Sequence, residues 1–359
     1  MKLKIIVGIL FVLLLTTIAT TTYMYSSGLE AVGSDEDVIV TIEGGDSSVL
    51  TQLEEAGLLS NKLSAQVYLK ITDHAFQANT YVLNTSMDFE EICAILNEGS
   101  FEYLLKDTLT VIEGTSVADF ATEVASKLGI TQNDVITKWA DQDYLESLIE
   151  EYWFISDEIL SEELYFPLEG YLAPNTYYIT ESDPTIESIT KLMLDQMDVV
   201  LSQYQSEIES FEVDGEVWSV HQFLTFASIV ESESLYEEDH SKIAGVFINR
   251  LEDHTSAGTY CLLQSDVTVN YANQVKKVAV TYSDLAVDSG YNTYLYAGLP
   301  VGPVSSVSEI IIESCLNYVE MDEFYFFAIS SGEVIYSVTY SEHLEGISEA
   351  KADGLWLED

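Results

Sequence analysis

An apolar run extends from Ile5 to Ile18 and continues through Ala19 and a threonine cluster to Tyr23-Met24-Tyr25. At about 20 residues it is long enough to span a bilayer as one helix. Lys2 and Lys4 stand before it, and Glu30, Asp35, Glu36 and Asp37 follow. That asymmetry puts the N-terminus in the cytoplasm and everything after the run outside. A cleaved signal peptide is the alternative. No clear A-x-A site follows the run, which favours an anchor over residues 1–25. Residues 26–37 then read as a short polar linker.

Beyond the linker the pattern alternates. Val40-Thr41-Ile42-Glu43-Gly44 reads as a strand closed by a glycine turn, and Thr110-Val111-Ile112-Glu113-Gly114 repeats it seventy residues later. Each is followed by an amphipathic helix that stops at glycine: Val49 to Ala56 before Gly57, and Val117 to Leu128 before Gly129. A second echo pairs Asn79-Thr80-Tyr81-Val82-Leu83 with Asn175-Thr176-Tyr177-Tyr178-Ile179. These echoes predict a small strand-helix-helix-strand unit over 38–105 and a second, repeat-like part over 106–180. Helical periodicity over 131–164 enlarges the second copy.

After Asp183-Pro184 the pattern predicts a helix from about Ile186 to Phe211, then another from Ser219. In the latter, positions 220, 223, 224, 227 and 230 form one apolar stripe. Glu231 occupies a stripe position four residues after Ala227. A carboxyl on the apolar face of a helix end is a candidate for a raised pKa, because desolvation disfavours its charged form. The bland alternative is an acid at a fraying helix end that reaches solvent. A further helix begins near Asp239 or Ser241 and carries Asn249 and Arg250. Phe324 to Ile329 reads as a buried strand that turns at Gly332-Glu333 into Val334-Ile335-Tyr336-Ser337, a hairpin.

Composition narrows the chemistry. The 359 residues, 47% of them hydrophobic, suffice for two or three domains with a buried core. There are 61 acids against 13 bases, a net charge of −48. No basic footprint for nucleic acid can be built from that set. A dense acidic surface fits high salt or low external pH, and it makes carboxylate spacing uninformative. Cys93, Cys261 and Cys315 are far apart and form no framework, and the five histidines show no metal spacing. No cofactor or metal is expected. Arg250 is the only arginine, and a rigid, always-charged fork has uses that lysine cannot copy.

Seven stretches in order carry a family resemblance. They are Leu168-Glu169-Gly170-Tyr171-Leu172-Ala173-Pro174-Asn175-Thr176-Tyr177, Ala227-Ser228-Ile229-Val230-Glu231-Ser232-Glu233, and Val246-Phe247-Ile248-Asn249-Arg250-Leu251. Leu263-Gln264-Ser265-Asp266, Tyr291-Asn292-Thr293-Tyr294, Gly298-Leu299-Pro300, and Tyr336-Ser337 with His343 behind it complete the set. The chain resembles the MltG/YceG-like family of endolytic murein transglycosylases over nearly its whole length.

The resemblance implies an α+β protein: an N-terminal transmembrane helix, a LysM-like module over 38–105 and a YceG-like catalytic domain over 106–359. It implies cleavage of the MurNAc–GlcNAc β-1,4 bond within glycan strands, without water, to leave 1,6-anhydroMurNAc ends. The family's catalytic glutamate matches Glu231. Glu169, Glu233 and Asp266 are candidate helpers in charge stabilisation, with structural hydrogen bonding as the alternative for each. Tyr171, Asn249, Arg250, Ser265 and Tyr291 are candidate supporting residues, and Gln264, Asn292 and Tyr294 would hold sugar hydroxyls and acetamido groups. The implied partners are glycan strands, the membrane and peptidoglycan synthases, with termination of nascent strands as the role. Three positions depart from the family pattern: Asn175 replaces an aspartate, and Val267 and Val301 replace prolines. A non-catalytic wall-binding scaffold and a sugar hydrolase of the same cleft are the rival expectations.

Overall fold

The computed structural model describes residues 16–17, 20–33, 35–105, 108–179, 184–233, 236–253, 258–277 and 280–356. Two units divide the chain, residues 1–107 and 108–359, both mixing helices with short antiparallel strand pairs. Residues 20–27 are helical. Among the described residues no helix is long and apolar enough to cross a membrane. Most of the predicted span, residues 1–15, 18 and 19, lies outside the described residues.

In the first unit β1 (Asp37–Ile42) pairs antiparallel with β2 (Asn79–Asn84), with Val40 opposite Tyr81 and Ile42 opposite Asn79. Alternation puts Val40, Ile42, Tyr81 and Leu83 on the buried face. Helices Asp46–Glu55, Lys62–Ile71 and Phe89–Glu98 supply Leu50, Leu53, Leu69, Ile92 and Leu96 to the same core. Each such fully buried side chain contributes roughly 1.5–3 kcal/mol. A reciprocal capping box between Asp88 and Glu91 starts the third helix, and left-handed Gly99 ends it. The segment expected as a linker is built into this unit. Leu29 is buried in the core, its carbonyl accepts the Phe89 N–H at 2.9 Å, and Gly33 donates to the Thr85 carbonyl at 2.9 Å. A single buried leucine and several backbone hydrogen bonds anchor it.

The second unit opens with β3 (Thr108–Val111), paired antiparallel with β4 (Asn175–Tyr178). The echoed sequences form equivalent strand pairs. The Thr110 and Thr176 hydroxyls meet at 3.0 Å, as do those of Thr41 and Thr80. Tyr177 donates its hydroxyl to the Ala173 carbonyl at 2.6 Å, and Tyr81 donates to that of Gln77 at 2.8 Å. Helices Val117–Leu128, Gln132–Trp139 and Gln142–Glu151 lie between β3 and β4. Capping boxes at Ser116/Asp119 and Thr131/Asp134 start the first two, and left-handed Gly129 closes the first.

The helix predicted from Ile186 to Phe211 is broken into Ile186–Ser202 and Gln205–Glu209, where Gln203 and Tyr204 turn back to cap the carbonyls of Val200 and Leu201. A short hairpin of β5 (Glu212–Val213) and β6 (Glu216–Val217) leads into the central helix, Val220–Glu233. His221 and every residue from Phe223 to Val230 are buried. The single apolar stripe expected there is therefore not its distinguishing feature. The helix is enclosed on all sides, with Phe211, Trp218, Phe223 and Phe226 clustered at ring-centroid distances of 5.3–5.5 Å for the closest pairs. Two of its hydroxyls donate inside the helix: Thr225 to the His221 carbonyl at 2.7 Å and Ser228 to the Thr225 carbonyl at 2.8 Å. Helices Glu237–Glu252 and Glu309–Leu316 pack against it. A β7 (Tyr325–Ala328) and β8 (Val334–Ser337) hairpin and helix Tyr340–Ala352 complete the unit.

Candidate active site

Glu231 lies in the last turn of the central helix and is half-buried. Its Oε2 accepts the backbone N–H of Ser308 at 2.9 Å and the Ser308 hydroxyl at 2.6 Å. Ser308 is the N-cap of helix Glu309–Leu316, so the carboxyl stands where a helix dipole favours an anion. Burial works the other way and dominates. It raises the Glu231 pKa above the ordinary carboxylate range, the Ser308 donors oppose it, and the charge of Glu113 adds to it. Oε1 takes no hydrogen bond among the described residues. Gly114, left-handed at φ +66°, lies against this side: a Cβ added there would stand 3.7 Å from Glu231 Cγ and 4.0 Å from Oε1. A side chain would cover the one oxygen left available.

A seam of serines fixes this corner. Ser228 Oγ accepts the Val304 N–H at 3.0 Å, Ser305 donates to the Ser228 carbonyl at 3.1 Å, and Ser232 Oγ reaches Ser305 Oγ at 3.0 Å. Ser306 then donates its N–H to the Thr115 carbonyl at 2.8 Å. The segment 304–308 thereby ties the central helix to the loop that carries Gly114.

Glu169 is 1% exposed. Oε1 accepts the N–H of Val117, the first residue of helix Val117–Leu128, at 2.9 Å, and Oε2 accepts the Tyr271 hydroxyl at 2.9 Å. Burial pushes its pKa up to about 8 against those two donors, with Asp119 adding to the rise and Lys276 opposing it. A cleft of about 590 Å³ opens in front, lined among others by Gly114, Ser232, Asn270, Tyr271, Lys276 and Lys277. Gly114 and Ser232 bring it to the edge of Glu231.

Glu233, two residues on, sits in a separate polar cluster. Its Oε1 accepts the buried Ser265 hydroxyl at 2.6 Å. Burial raises its pKa, Ser265 opposes that, Asp266 adds and Arg250 opposes. Asp266 accepts the Tyr294 hydroxyl at 2.6 Å. Arg250 is buried among the rings of Phe247, Tyr325 and Phe326, and its guanidinium donates to the carbonyls of Phe324 (2.7 Å) and Leu263. Asn249 donates to the carbonyls of Met321 and Glu323, both at 2.9 Å. The two neighbours therefore clamp the approach to the β7–β8 hairpin and the turn before Ser265.

A match to the YceG-like family covers residues 40–349. The chain belongs to the YceG-like family. It is 33% identical over 328 residues to an endolytic murein transglycosylase of Bacillus subtilis (strain 168), a match covering 89% of this chain and 88% of that one. An endolytic murein transglycosylase of Streptococcus pneumoniae (serotype 2) is 33% identical over 319 residues. There the match covers 83% of this chain and 55% of the relative, so the chain spans about half that protein's length. The crystal structure of a yceG-like protein from Listeria monocytogenes superposes with a TM-score of 0.62 at 32% identity, over 87% of this chain and 99% of the other.

Within this YceG-like chain the expected site residues do not all converge. Glu231 and Glu169 meet the same loop, 112–117, from its two ends. Glu233, Ser265, Asp266, Tyr294 and Arg250 form the second cluster. Asn292, expected on sugar hydroxyls, is fully buried and donates instead to the carbonyls of Leu285 (3.0 Å) and Val287 (2.8 Å). Its Oδ1 accepts the Tyr294 N–H at 3.0 Å, so it shapes the loop that presents Tyr294. Tyr171 is fully buried too, its hydroxyl 2.9 Å from His221 Nδ1. His221 Nε2 faces the Val301 carbonyl at 3.1 Å, so Nε2 carries the proton and Nδ1 accepts from Tyr171. Tyr291 packs in the core against Tyr165 and Tyr271, its ring tilted to theirs at centroid distances of 4.9 and 4.7 Å. Gln264 is half-buried in a left-handed conformation, φ +51°, and its backbone N–H bonds the Thr293 carbonyl. Ser308, Gly114 and Tyr271 were not foreseen. Ser308-Glu309 before Ile310-Ile311-Ile312 is a helix-start signal that could have marked the first.

Proposed function

We propose that this chain is a membrane-anchored endolytic murein transglycosylase that cleaves MurNAc–GlcNAc β-1,4 bonds within glycan strands and leaves 1,6-anhydroMurNAc ends. The observation that carries the reading is the state of Glu231. One oxygen is tied to a helix N-terminus, the other is left without a hydrogen bond among the described residues, and burial raises its pKa. A glycosidase that uses water needs two carboxylates. Here the sugar's C6 hydroxyl takes the place of water, so one acid serves both halves of the reaction. Glu231 gives its proton to the glycosidic oxygen as the C1–O bond breaks. The resulting carboxylate takes the proton of the C6 hydroxyl as that oxygen bonds C1, and the acid is restored. Glu169 holds the loop beside it through the Val117 N–H.

The run from Ile5 to Tyr25 anchors the chain with its N-terminus in the cytoplasm, and the following residues work outside. Residues 38–105 act as a LysM-like module on glycan, and residues 106–359 as the catalytic domain. Peptidoglycan synthases are the expected partners, with strand termination as the task. Mass analysis of glycan digested by the purified protein tests the reading. Anhydro ends are expected. Reducing MurNAc ends would make it a hydrolase, and intact strands would leave the scaffold reading.

A further inference from the structure

Lys276 and Lys277 are the only adjacent bases in a chain with 13 bases and a net charge of −48, and both line the cleft beside Glu231. We propose that this wall binds the peptide arm carried by the glycan strand, with Lys276 receiving a peptide carboxylate. The inference rests on the transglycosylase reading and adds which part of the substrate the cleft takes.

The two lysines have different tasks. Lys277 gives hydrogen bonds of 2.8 Å to both oxygens of Asp284, whose Oδ2 also accepts the N–H and hydroxyl of Thr281. That lysine fixes the loop. Lys276 is far more exposed, its side chain at 79%, and its ammonium makes one 2.9 Å bond to Asp119. Asp119 is held in turn by the Ser116 N–H and hydroxyl at 3.0 and 2.7 Å. An ammonium has three donors. Among the described residues Lys276 uses one, so Asp119 aims it while two remain for a ligand.

The neighbouring side chain holds the backbone of this wall. Asn270 lines the same cleft, donates through Nδ2 to the Lys277 carbonyl at 2.8 Å, and keeps a buried Oδ1 that meets no donor among the described residues. An ammonium with donors to spare, aimed along the cleft, suits a chain of amides that ends in carboxylates. A sugar hydroxyl needs no ammonium. A strand of like charge to the protein gains most from the one place on the cleft where bases are paired.

The test compares strands that carry their peptides with strands stripped of them by an amidase, which frees the lactyl carboxylate of MurNAc. Wild type, Lys276→Ala and Lys276→Arg are assayed on both. For Lys276→Ala, the ratio of kcat/KM on peptide-bearing to stripped strands should fall about tenfold, the size of one charge-assisted hydrogen bond. The loss should lie in KM, and Lys276→Arg should restore most of it. An unchanged ratio overturns the proposal, and so does a larger loss on stripped strands, which would make the lactyl carboxylate the ligand. If wild type yields no anhydro ends on either substrate, the transglycosylase reading fails and the inference falls with it. An unchanged melting temperature in Lys276→Ala, as its exposure predicts, excludes misfolding as the cause.

Discussion

The two strand pairs share their threonine bridge and their tyrosine hydroxyl bond, yet the loops that leave them differ. In the first unit the loop after β1 reaches Gly44, where an added Cβ would meet only the Ser48 side chain. The helix that follows starts at Gly45 with no side-chain cap. In the second unit the loop after β3 reaches Gly114, where the Cβ would meet Glu231. The helix after it is capped by Ser116, and its first N–H is taken by the buried carboxyl of Glu169. One frame thus serves two ends. What makes the second copy a candidate active site is the pair of acids brought to its loop by distant elements.

Removing Glu169 should break this contrast most. Glu169→Ala leaves the Val117 N–H and the Tyr271 hydroxyl buried without an acceptor, a cost of about 3 kcal/mol on the second unit. It should also cut activity through the loop beside Glu231. Calorimetry and a digestion assay read the two effects. Glu169→Gln should keep the clamp, since an amide can accept from Val117 and donate to Tyr271. It should also flatten a pH dependence. The folded pKa, pushed up to about 8, lies above the ordinary 4.5, so the native state holds the proton longer than the unfolded one. Wild-type stability should therefore fall as pH rises between those values, by on the order of a few kcal/mol, and level off above. Melting curves of wild type and Glu169→Gln across that window should diverge. Parallel curves would show that this carboxyl does not titrate there.

The glycine pair gives a smaller and sharper comparison. Gly44 and Gly114 are both left-handed, at φ +79° and +66°. Alanine at either should cost about 1–2 kcal/mol of stability. Gly114→Ala should in addition lower kcat/KM by about tenfold, because its methyl crowds the free side of Glu231. Gly44→Ala should leave kcat/KM alone. Equal effects on activity would mean that the second loop has no special relation to the site.

Much of this frame was legible in the sequence. The echoed Thr-Tyr pairs, the helix Val117–Leu128 with its terminal Gly129 and the β7–β8 hairpin are local patterns, and local patterns survive into the fold. The site was legible only in part, because its contacts are long-range. Glu231 was singled out as an acid on a stripe, yet the helix around it is buried on every side. What marks the residue is its meeting with Ser308, 77 residues away. Asn292 is expected on sugar hydroxyls only through the family resemblance. Only the fold shows that its amide is spent on two backbone carbonyls. The bond of Glu233 to Ser265 depends on a turn that no periodicity predicts.

The central claim is that Glu231 supplies the proton. Glu231→Gln keeps the size of the side chain and a hydrogen-bond acceptor for Ser308 but cannot donate a titrating proton. Digestion of glycan strands by this variant, followed by mass analysis of the ends, tests the claim directly. The variant should fold, bind strands and form no anhydroMurNAc ends. The wild-type rate should fall as pH rises through the raised pKa, because the donor form is then lost. Anhydro ends produced by Glu231→Gln at the wild-type rate would contradict the assignment and move the chemistry to another acid.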